Sequence, residues 1–267
     1  MCGIIGYVGK KAASPILLEG LRRLEYRGYD SAGVALVCGG DLLVRKKMGK
    51  IGEGLARLLK SGPVEGNLGI GHTRWATHGP PSDKNSHPQL DQSGKIAIVH
   101  NGVIENFDAL KQKLLATGHK FKSDTDTEVL AHLIGDYYKK RRGKNGWGER
   151  PREPKSSPAN GSPGVSPHQP ENGSNPLTQA VCDALREVIG TYGLAVVCAG
   201  QPGTIVGARR GSPLIIGIGT GENFLASDAN AIVAHTKKVV YLNDYDVATI
   251  TPERFDVSNL EIGRAHV

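Results

Sequence analysis

Short apolar segments recur along the last third of the chain, and they constrain the possible fold more than any other feature. Six of them are predicted strands, separated by Gly, Pro and Asp residues. Strands so short and so closely spaced predict sheets that pack against each other, with helices outside them. The segments cover residues 193–199, 204–209, 214–218, 222–226, 238–242 and 246–251.

The earlier part of the chain alternates strand and helix signals. Residues 2–8 are a predicted buried strand, and Ser14 and Pro15 are predicted to cap and begin a helix that reaches Leu24. Thr125 or Asp126 is the predicted cap of a later helix. Further helices are predicted over 51–60, 105–117, 127–140 and 177–189, and further strands over 34–37, 42–45, 69–73 and 96–100.

Length and composition narrow the class of protein. A chain of 267 residues with 39% hydrophobic content forms one large domain or two small ones. No apolar stretch reaches 18 residues and no signal peptide is visible, so neither a membrane span nor secretion is expected. The four cysteines lack the spacing of a zinc site or a disulfide framework. We therefore expect a cytoplasmic protein.

The net charge of +7 comes almost entirely from one segment. Eight basic and two acidic residues lie between Lys139 and Lys155, which indicates a solvated loop and gives no reason to expect nucleic-acid binding. Residues 143–176 contain seven prolines and six glycines. Because so few of these residues are large and apolar, we expect a disordered insertion. It would interrupt one domain, since the preceding helix has no sheet of its own.

The N-terminal segment contains the strongest candidate for chemistry. Cys2 becomes the first residue once Met1 is removed, which is expected because the second side chain is small. A thiol and a free α-amine on one residue then form a nucleophile with its own general base. The alternative is that Cys2 is a small apolar residue that opens a buried strand.

Three other positions complement this nucleophile. Asn101 and Gly102 follow a predicted strand and offer an amide side chain and a backbone N–H for an oxyanion, unless they form an ordinary Asn-Gly turn. Arg74 suits a carboxylate, and Asp126 suits an ammonium group or a helix cap. Together these groups would suit an amino acid with a side-chain carbonyl.

Longer motifs strengthen this interpretation. They are CGIIG from Cys2, LRRLEYRGYDSAG from Leu21, HTRWATHG from His72, VHNG from Val99 and TDTE from Thr125. With these motifs the chain resembles the glutaminase domains of glutamine–fructose-6-phosphate aminotransferases, which are class II, N-terminal-nucleophile glutamine amidotransferases. The resemblance covers residues 1–140 and about 177–255, and two further segments, 211–214 and 222–228, extend it.

The resemblance implies a fold and a set of roles. The fold is α+β, a four-layer αββα sandwich of two mainly antiparallel sheets. Cys2 would attack the side-chain amide of L-glutamine, and Asn101 with the Gly102 N–H would hold the oxyanion. Arg74 and Asp126 would bind the substrate's carboxylate and ammonium groups. The remaining roles are pocket lining by Thr77 and His78, a mobile lid carrying Trp75, and support of the Cys2 strand by Arg27.

The same resemblance implies limits. No cofactor and no metal is implied. Residues 1–255 would form the glutaminase domain and 256–267 a truncated linker or tail, of which 262–267 resemble an adapter-derived artefact. The sugar-isomerase domains that use fructose 6-phosphate would be missing, and the full-length enzyme is expected to be a homo-oligomer.

Two alternatives stay open at this point. The first is that the chain is a glutaminase half that serves another acceptor, such as phosphoribosyl pyrophosphate. The second is that it is a catalytically silent module that senses glutamine, or a scaffold, with a structural Cys2. The N-terminus distinguishes these, because a retained Met1 blocks the α-amine and favours the silent module.

Overall fold

The computed structural model describes residues 2–62, 65–75, 79–143 and 175–261. Thirteen strands lie within these residues. They are β1 (Gly3–Val8), β2 (Ser31–Cys38), β3 (Asp41–Met48), β4 (Leu68–Arg74), β5 (Gln89–Leu90), β6 (Ile96–Ile104), β7 (Gly190–Cys198), β8 (Ile205–Arg210), β9 (Ile215–Ile218), β10 (Asn223–Ala226), β11 (Val239–Tyr241), β12 (Asp246–Ile250) and β13 (Phe255–Asn259). The α-helices in the same residues are α1 (Ala13–Leu24), α2 (Leu55–Ser61), α3 (Phe107–Ala116), α4 (Asp126–Gly143) and α5 (Pro176–Glu187).

The strands form two antiparallel sheets. The first has seven strands in the order β11-β9-β10-β1-β4-β2-β3, and the second has six in the order β13-β12-β8-β7-β6-β5. The first sheet packs against α1 and α2 on its outer face, and the second packs against α3, α4 and α5. These four layers confirm the expected αββα sandwich.

The central core lies between the two sheets. Ile4 and Ile70 of the first sheet pack against the same apolar cluster as Val99 and Val197 of the second. Strands that are covered on both faces need apolar residues on both, which explains the nearly continuous apolar runs in the sequence. Leu21 of α1 is fully buried in the outer cluster of the first sheet. The helices therefore close the sandwich rather than form a separate domain.

Two predicted helix starts have different outcomes. The prediction that Ser14 caps α1 is wrong, because the helix begins at Ala13 and its N-cap, Ala12, makes no side-chain hydrogen bond. Pro15 then lies in the first turn, where a missing N–H is tolerated. The start of α5 is confirmed, since the Asn175 side chain accepts hydrogen bonds from two backbone N–H groups. The predicted helix over 51–60 is shorter, and only Leu55–Ser61 is helical.

Strand β6 is longer than predicted. It continues through Asn101 and Gly102, which pair with Gly193 and Tyr192 of β7. The alternative of an ordinary Asn-Gly turn is therefore wrong. Both residues are held in register by the neighbouring strand, so their positions are fixed.

The C-terminal part of the sheet also extends further than expected. Strand β13 pairs with β12 from Phe255 to Asn259, so the second sheet continues past residue 255, where we expected the domain to end. Residues 262–267 lie outside the described residues. Most of the expected insertion, 144–174, does so too, whereas α4 and α5 on either side of it pack together over the second sheet.

Within the described parts of the chain, no helix combines the length and the apolarity needed to cross a membrane.

Candidate active site

The site forms where the two sheets meet at one end of the sandwich. Strand β1 pairs with β4 so that Gly3 lies opposite Thr73, which places Cys2 beside the end of β4. Strand β6 of the other sheet brings Asn101 to the same place, since its side-chain Nδ2 donates to the Cys2 carbonyl oxygen at 3.1 Å. The sheet pairing alone therefore brings together residues that lie about a hundred positions apart in sequence.

Cys2 presents its thiol to the backbone of Trp75. The Trp75 N–H donates to the Cys2 Sγ at 3.2 Å. Burial raises the pKa of the Cys2 thiol, and the hydrogen bond from Trp75 together with nearby positive charges opposes this effect only in part. The group is therefore a neutral thiol at neutral pH, and a base must remove its proton before it can act as a nucleophile.

Asn101 and Gly102 are positioned to offer donors. The Asn101 amide nitrogen carries two N–H groups, and only one is needed for the Cys2 carbonyl. Gly102 has a φ of +130°, and a Cβ at this position would collide with the Thr191 carbonyl of β7. Only glycine fits this conformation and this close approach, so the backbone N–H of residue 102 keeps a defined direction.

Arg74 and Asp126 supply opposite charges to the site. Arg74 is the last residue of β4, is 4% exposed, and donates to the Gly79 carbonyl at 3.2 Å. Asp126 begins α4, and its Oδ2 accepts a hydrogen bond from the Ile104 N–H at 2.9 Å. The helix cap is Thr125, whose Oγ1 accepts from the Glu128 N–H. Asp126 is therefore not needed as the cap, and its carboxylate faces the end of β6.

Arg27 reaches the β1 strand through intermediaries. Its guanidinium pairs with Asp228 at 2.7 Å. The adjacent Ser227 accepts a hydrogen bond from the Ile4 N–H and donates its own N–H to the Ile4 carbonyl. Burial raises the pKa of Asp228, but hydrogen bonds from Asn230, Tyr26 and Arg27 outweigh this and lower it. Asp228 thus links Arg27 to the loop whose Ser227 is hydrogen-bonded to β1.

Trp75 follows directly after Arg74. Its side chain is 48% exposed and packs edge-to-face on Tyr29 at 5.4 Å between ring centroids. The ring stands at the mouth of the site. The two other residues expected in this loop, Thr77 and His78, lie outside the described residues.

A cavity of about 310 Å³ joins these groups. It is large enough for a free amino acid and carries a thiol, amide donors and both signs of charge on its walls. The residues that line it include Cys2, Arg27, Arg74, Trp75, Asn101, Gly102 and Asp126.

The sequence interpretation missed three histidines around this cavity. His72 bonds to Asn101, while His87 and His100 line the cavity. His72 lies two residues before Arg74 on β4, and residues two apart in a strand point to the same face. That spacing was the available signal for His72. No comparable signal marks His87, which comes from a loop.

Comparisons with known proteins agree with this geometry. A family model described as a glutamine amidotransferase domain matches residues 60–142. The chain is 48% identical over 263 residues to a glutamine–fructose-6-phosphate aminotransferase (isomerizing) of Chlorobaculum tepidum and 44% identical over 261 residues to that of Aquifex aeolicus. In both cases 98% of this chain is covered, but it spans only 38% of the relative's length.

Solved structures show the same fold. A glutamine phosphoribosylpyrophosphate amidotransferase from B. subtilis superimposes with a TM-score of 0.71 at 25% identity, covering 98% of this chain and 50% of that one. A structure described as the allosteric regulatory enzyme of purine biosynthesis gives 0.74 at 26% identity over the same shares of the two chains. The chain therefore belongs to the glutamine amidotransferases, and it corresponds to the glutaminase part of the glutamine–fructose-6-phosphate aminotransferases.

Proposed function

We propose that this chain hydrolyses L-glutamine to glutamate and ammonia, with Cys2 as the nucleophile. The observation that carries the proposal is the single cavity shared by Cys2, Asn101, Gly102, Arg74 and Asp126. Each polar group of a bound glutamine would find a complementary partner in this cavity. Arg74 pairs with its carboxylate, Asp126 with its ammonium group, and the thiol faces its side-chain amide.

The reaction proceeds through a thioester. The Cys2 thiol loses its proton to the α-amine of the same residue as the sulfur attacks the amide carbon. The negative oxygen of the tetrahedral intermediate accepts hydrogen bonds from Asn101 Nδ2 and the Gly102 N–H. The intermediate collapses and ammonia leaves with the proton from the α-ammonium group. Water then attacks the thioester, which releases glutamate and restores the thiol.

Burial raises the pKa of the Cys2 thiol, and the α-amine offers a base for its proton. A buried neutral thiol attacks slowly unless a base takes its proton during the step. An α-amine with a pKa near 8 is a suitable base at neutral pH. The mechanism therefore requires removal of Met1. Thr77 and His78 complete the pocket in this proposal, Trp75 is a lid over bound glutamine, and Arg27 supports the Cys2 strand.

The acceptor of the ammonia is fructose 6-phosphate in this proposal, giving glucosamine 6-phosphate. The support is the identity of 44–48% to aminotransferases named for that sugar, against 25% to the phosphoribosylpyrophosphate enzyme. The acceptor would bind in the part of those relatives that lies outside the matched region, since this chain spans 38% of their length. We further propose a homo-oligomeric full-length enzyme, residues 1–255 as the core of the glutaminase domain, and a cytoplasmic location, which its four free cysteines favour.

Glutamate release by the purified chain tests the proposal. Mass spectrometry first establishes that Met1 is absent. The chain should release glutamate and ammonia in equal amounts, and Cys2→Ala should lose this activity by several orders of magnitude. Cys198→Ala is the matched control, because Cys198 is a buried thiol outside the cavity. Activity that survives Cys2→Ala, or a mature chain that retains Met1 and still turns over, would defeat the mechanism.

A further inference from the structure

We propose that His72 is a positioning residue that orients the side-chain amide of Asn101 toward the cavity. The inference rests on the proposed function, because it assigns a role within the same oxyanion site. It begins from two hydrogen bonds on one amide. Asn101 Nδ2 lies 3.1 Å from the Cys2 carbonyl oxygen, and Asn101 Oδ1 lies 3.0 Å from His72 Nε2.

These contacts fix the direction of every hydrogen bond. A backbone carbonyl only accepts, so the NH₂ group of Asn101 must face Cys2 and its oxygen must face His72. The oxygen also only accepts, so His72 carries its proton on Nε2. The opposite orientation of the amide would place its oxygen against the carbonyl of Cys2, which is unfavourable. It would also place an N–H against the Nε2–H of His72, unless the ring moved its proton to the buried Nδ1.

The amide therefore has one N–H left over. The first N–H of Asn101 binds the Cys2 carbonyl, and the second is available to an oxyanion that forms at the Cys2 sulfur. Without His72, only the hydrogen bond to the Cys2 carbonyl would oppose rotation of the amide. The rotated amide would present its oxygen to the same oxyanion, which would repel it. His72 thereby selects the donor face of the amide before the substrate arrives.

The surroundings of His72 suit a fixed donor and not an acid or a base. The ring is fully buried and does not line the cavity. Burial lowers the pKa of His72 to about 3, so the ring stays neutral at physiological pH. Among the described residues, its other nitrogen, Nδ1, has no hydrogen-bond partner, although the His100 backbone opposes the lowering of the His72 pKa in part. The ring packs on His87 at 4.4 Å between centroids.

Lys46 holds the loop that carries His87, the second of these two rings. The Lys46 ammonium donates to the carbonyls of Ser86 at 2.8 Å and Pro88 at 3.1 Å, on either side of His87. His72 comes from the first sheet and Asn101 from the second, so their hydrogen bond crosses between the sheets. The contact ties the oxyanion donor to the sheet that carries the nucleophile, and a shift of one sheet against the other would break it.

Two replacements of His72 by amide side chains of different length test this role. In His72→Gln the side-chain amide can still donate to Asn101, whereas in His72→Asn the shorter side chain cannot reach. We expect His72→Asn to lower kcat for glutamine by about 10- to 100-fold with KM within about threefold, less than the loss expected for removing the donor itself. His72→Gln should recover most of kcat. Equal kcat values for the two variants would overturn the proposal.

A double-mutant cycle separates positioning from general damage. If His72 acts through Asn101, then His72→Asn should cost little further activity in an Asn101→Ala background. A full additional 10- to 100-fold loss in that background would show that His72 acts by another route. The cycle compares variants of the full chain with Met1 removed.

Two controls keep the result interpretable. His132→Asn changes a buried histidine outside the cavity and should leave kcat unchanged. The rate of Cys2 alkylation by iodoacetamide should be the same in wild type and His72→Asn, because the thiol does not need the oxyanion donor to react. A slower alkylation would mean that the nucleophile itself has moved, which contradicts the proposal. Failure of the proposed function would instead appear as an inactive wild type.

Discussion

The two ends of strand β6 carry two cavities that share many residue types, yet only one has the features of an active site. The cavity at the Asn101 end has a volume of about 310 Å³, and the cavity at the Ile96 end is larger, about 460 Å³. We call them the nucleophile cavity and the far cavity. Helix α4 connects them too, since Asp126 lines the first and His132 and Asp136 line the second.

Both cavities have a cysteine, buried histidines and a carboxylate. In the far cavity these groups satisfy each other. His119 Nδ1 lies 2.9 Å from His132 Nδ1, and His119 Nε2 lies 3.1 Å from Asp136. The Asp91 carboxylate accepts hydrogen bonds from the turn that contains Ser93 and Lys95. These histidines and carboxylates therefore already have hydrogen-bond partners within the protein.

The nucleophile cavity differs because some hydrogen-bond donors on its wall are not used within the described part of the protein. Asn101 keeps one N–H, and Gly102 also lines the cavity. Volume and buried titratable residues are therefore a weak sign of function in this fold. Unused hydrogen-bond directions of complementary type are a stronger one.

The largest expected effect comes from a methyl group at position 102. Gly102→Ala adds a Cβ against the Thr191 carbonyl at a φ of +130°. We expect a loss of about 3 kcal/mol or more in the free energy of unfolding, from strain and overpacking together, and near-complete loss of glutaminase activity. Urea unfolding and glutamate release measure the two effects.

Gly118→Ala is the matched control for that change. Gly118 ends α3 near the far cavity with a φ of +88°, and a Cβ there meets nothing within 4 Å. Gly118→Ala should lower the free energy of unfolding by only about 1 kcal/mol and leave glutaminase activity unchanged. Similar losses in the two variants would show that the backbone conformation alone, without the close approach to β7, accounts for the effect.

The next effect compares one carboxylate in each cavity. Asp126→Asn keeps an oxygen for the Ile104 N–H but removes the charge that the proposed substrate ammonium needs. We expect kcat/KM for glutamine to fall by about 100-fold, the value of a charge-assisted hydrogen bond. Asp136→Asn, in the far cavity, should leave kcat/KM unchanged. Steady-state kinetics at several glutamine concentrations measures kcat/KM for both variants. Equal losses of kcat/KM in the two variants would contradict the distinction between the cavities.

The sequence predicted the chemical types of the site but not the way they are held. The candidate residues were recognisable because their proposed roles complement one another and their motifs are long; they are Cys2, Asn101, Gly102, Arg74 and Asp126. The positions of helices and strands followed from apolar periodicity, with the boundaries least well predicted. The cap of α1 was wrong because the Ser-Pro pair fits the first turn as well as the cap.

His72 was missed for a different reason. Its role depends on a contact between β4 and β6, which belong to different sheets and do not pair with each other. Local periodicity predicts which face of a strand a residue occupies, but not which strand of the opposite sheet lies across from it. Strand β13 was missed likewise, because Phe255–Asn259 becomes a strand only by pairing with β12.

Lowering the pH should reduce the free energy of unfolding through the buried histidines near the nucleophile cavity. Burial holds the pKa of His72 at about 3 and that of His87 well below its usual range. Since the unfolded chain binds protons near pH 6.5, the unfolding free energy should fall as pH drops from about 6.5 toward 3. One such histidine contributes a slope of at most about 1.4 kcal/mol per pH unit.

Urea titrations between pH 4 and pH 7 measure this slope. His72→Gln should flatten it, because the titrating group is gone, whatever the variant's stability at pH 7. His132→Gln should flatten it less. Burial also lowers the pKa of His132, but the nearby Glu128 carboxylate raises it and so opposes the shift. A slope unchanged by His72→Gln would contradict the neutral, buried state on which the orientation of Asn101 depends.

The smallest effect is expected at the rim of the far cavity. Lys95 pairs with Asp41 at 2.6 Å, but the two side chains are 48% and 78% exposed. Water and salt screen such a pair, so Lys95→Gln should change the free energy of unfolding by less than about 0.5 kcal/mol and leave glutamate release intact. Urea unfolding at low and high salt measures it. A loss of activity would show that the far cavity is coupled to the nucleophile, since β6 begins one residue after Lys95 and ends beyond Asn101.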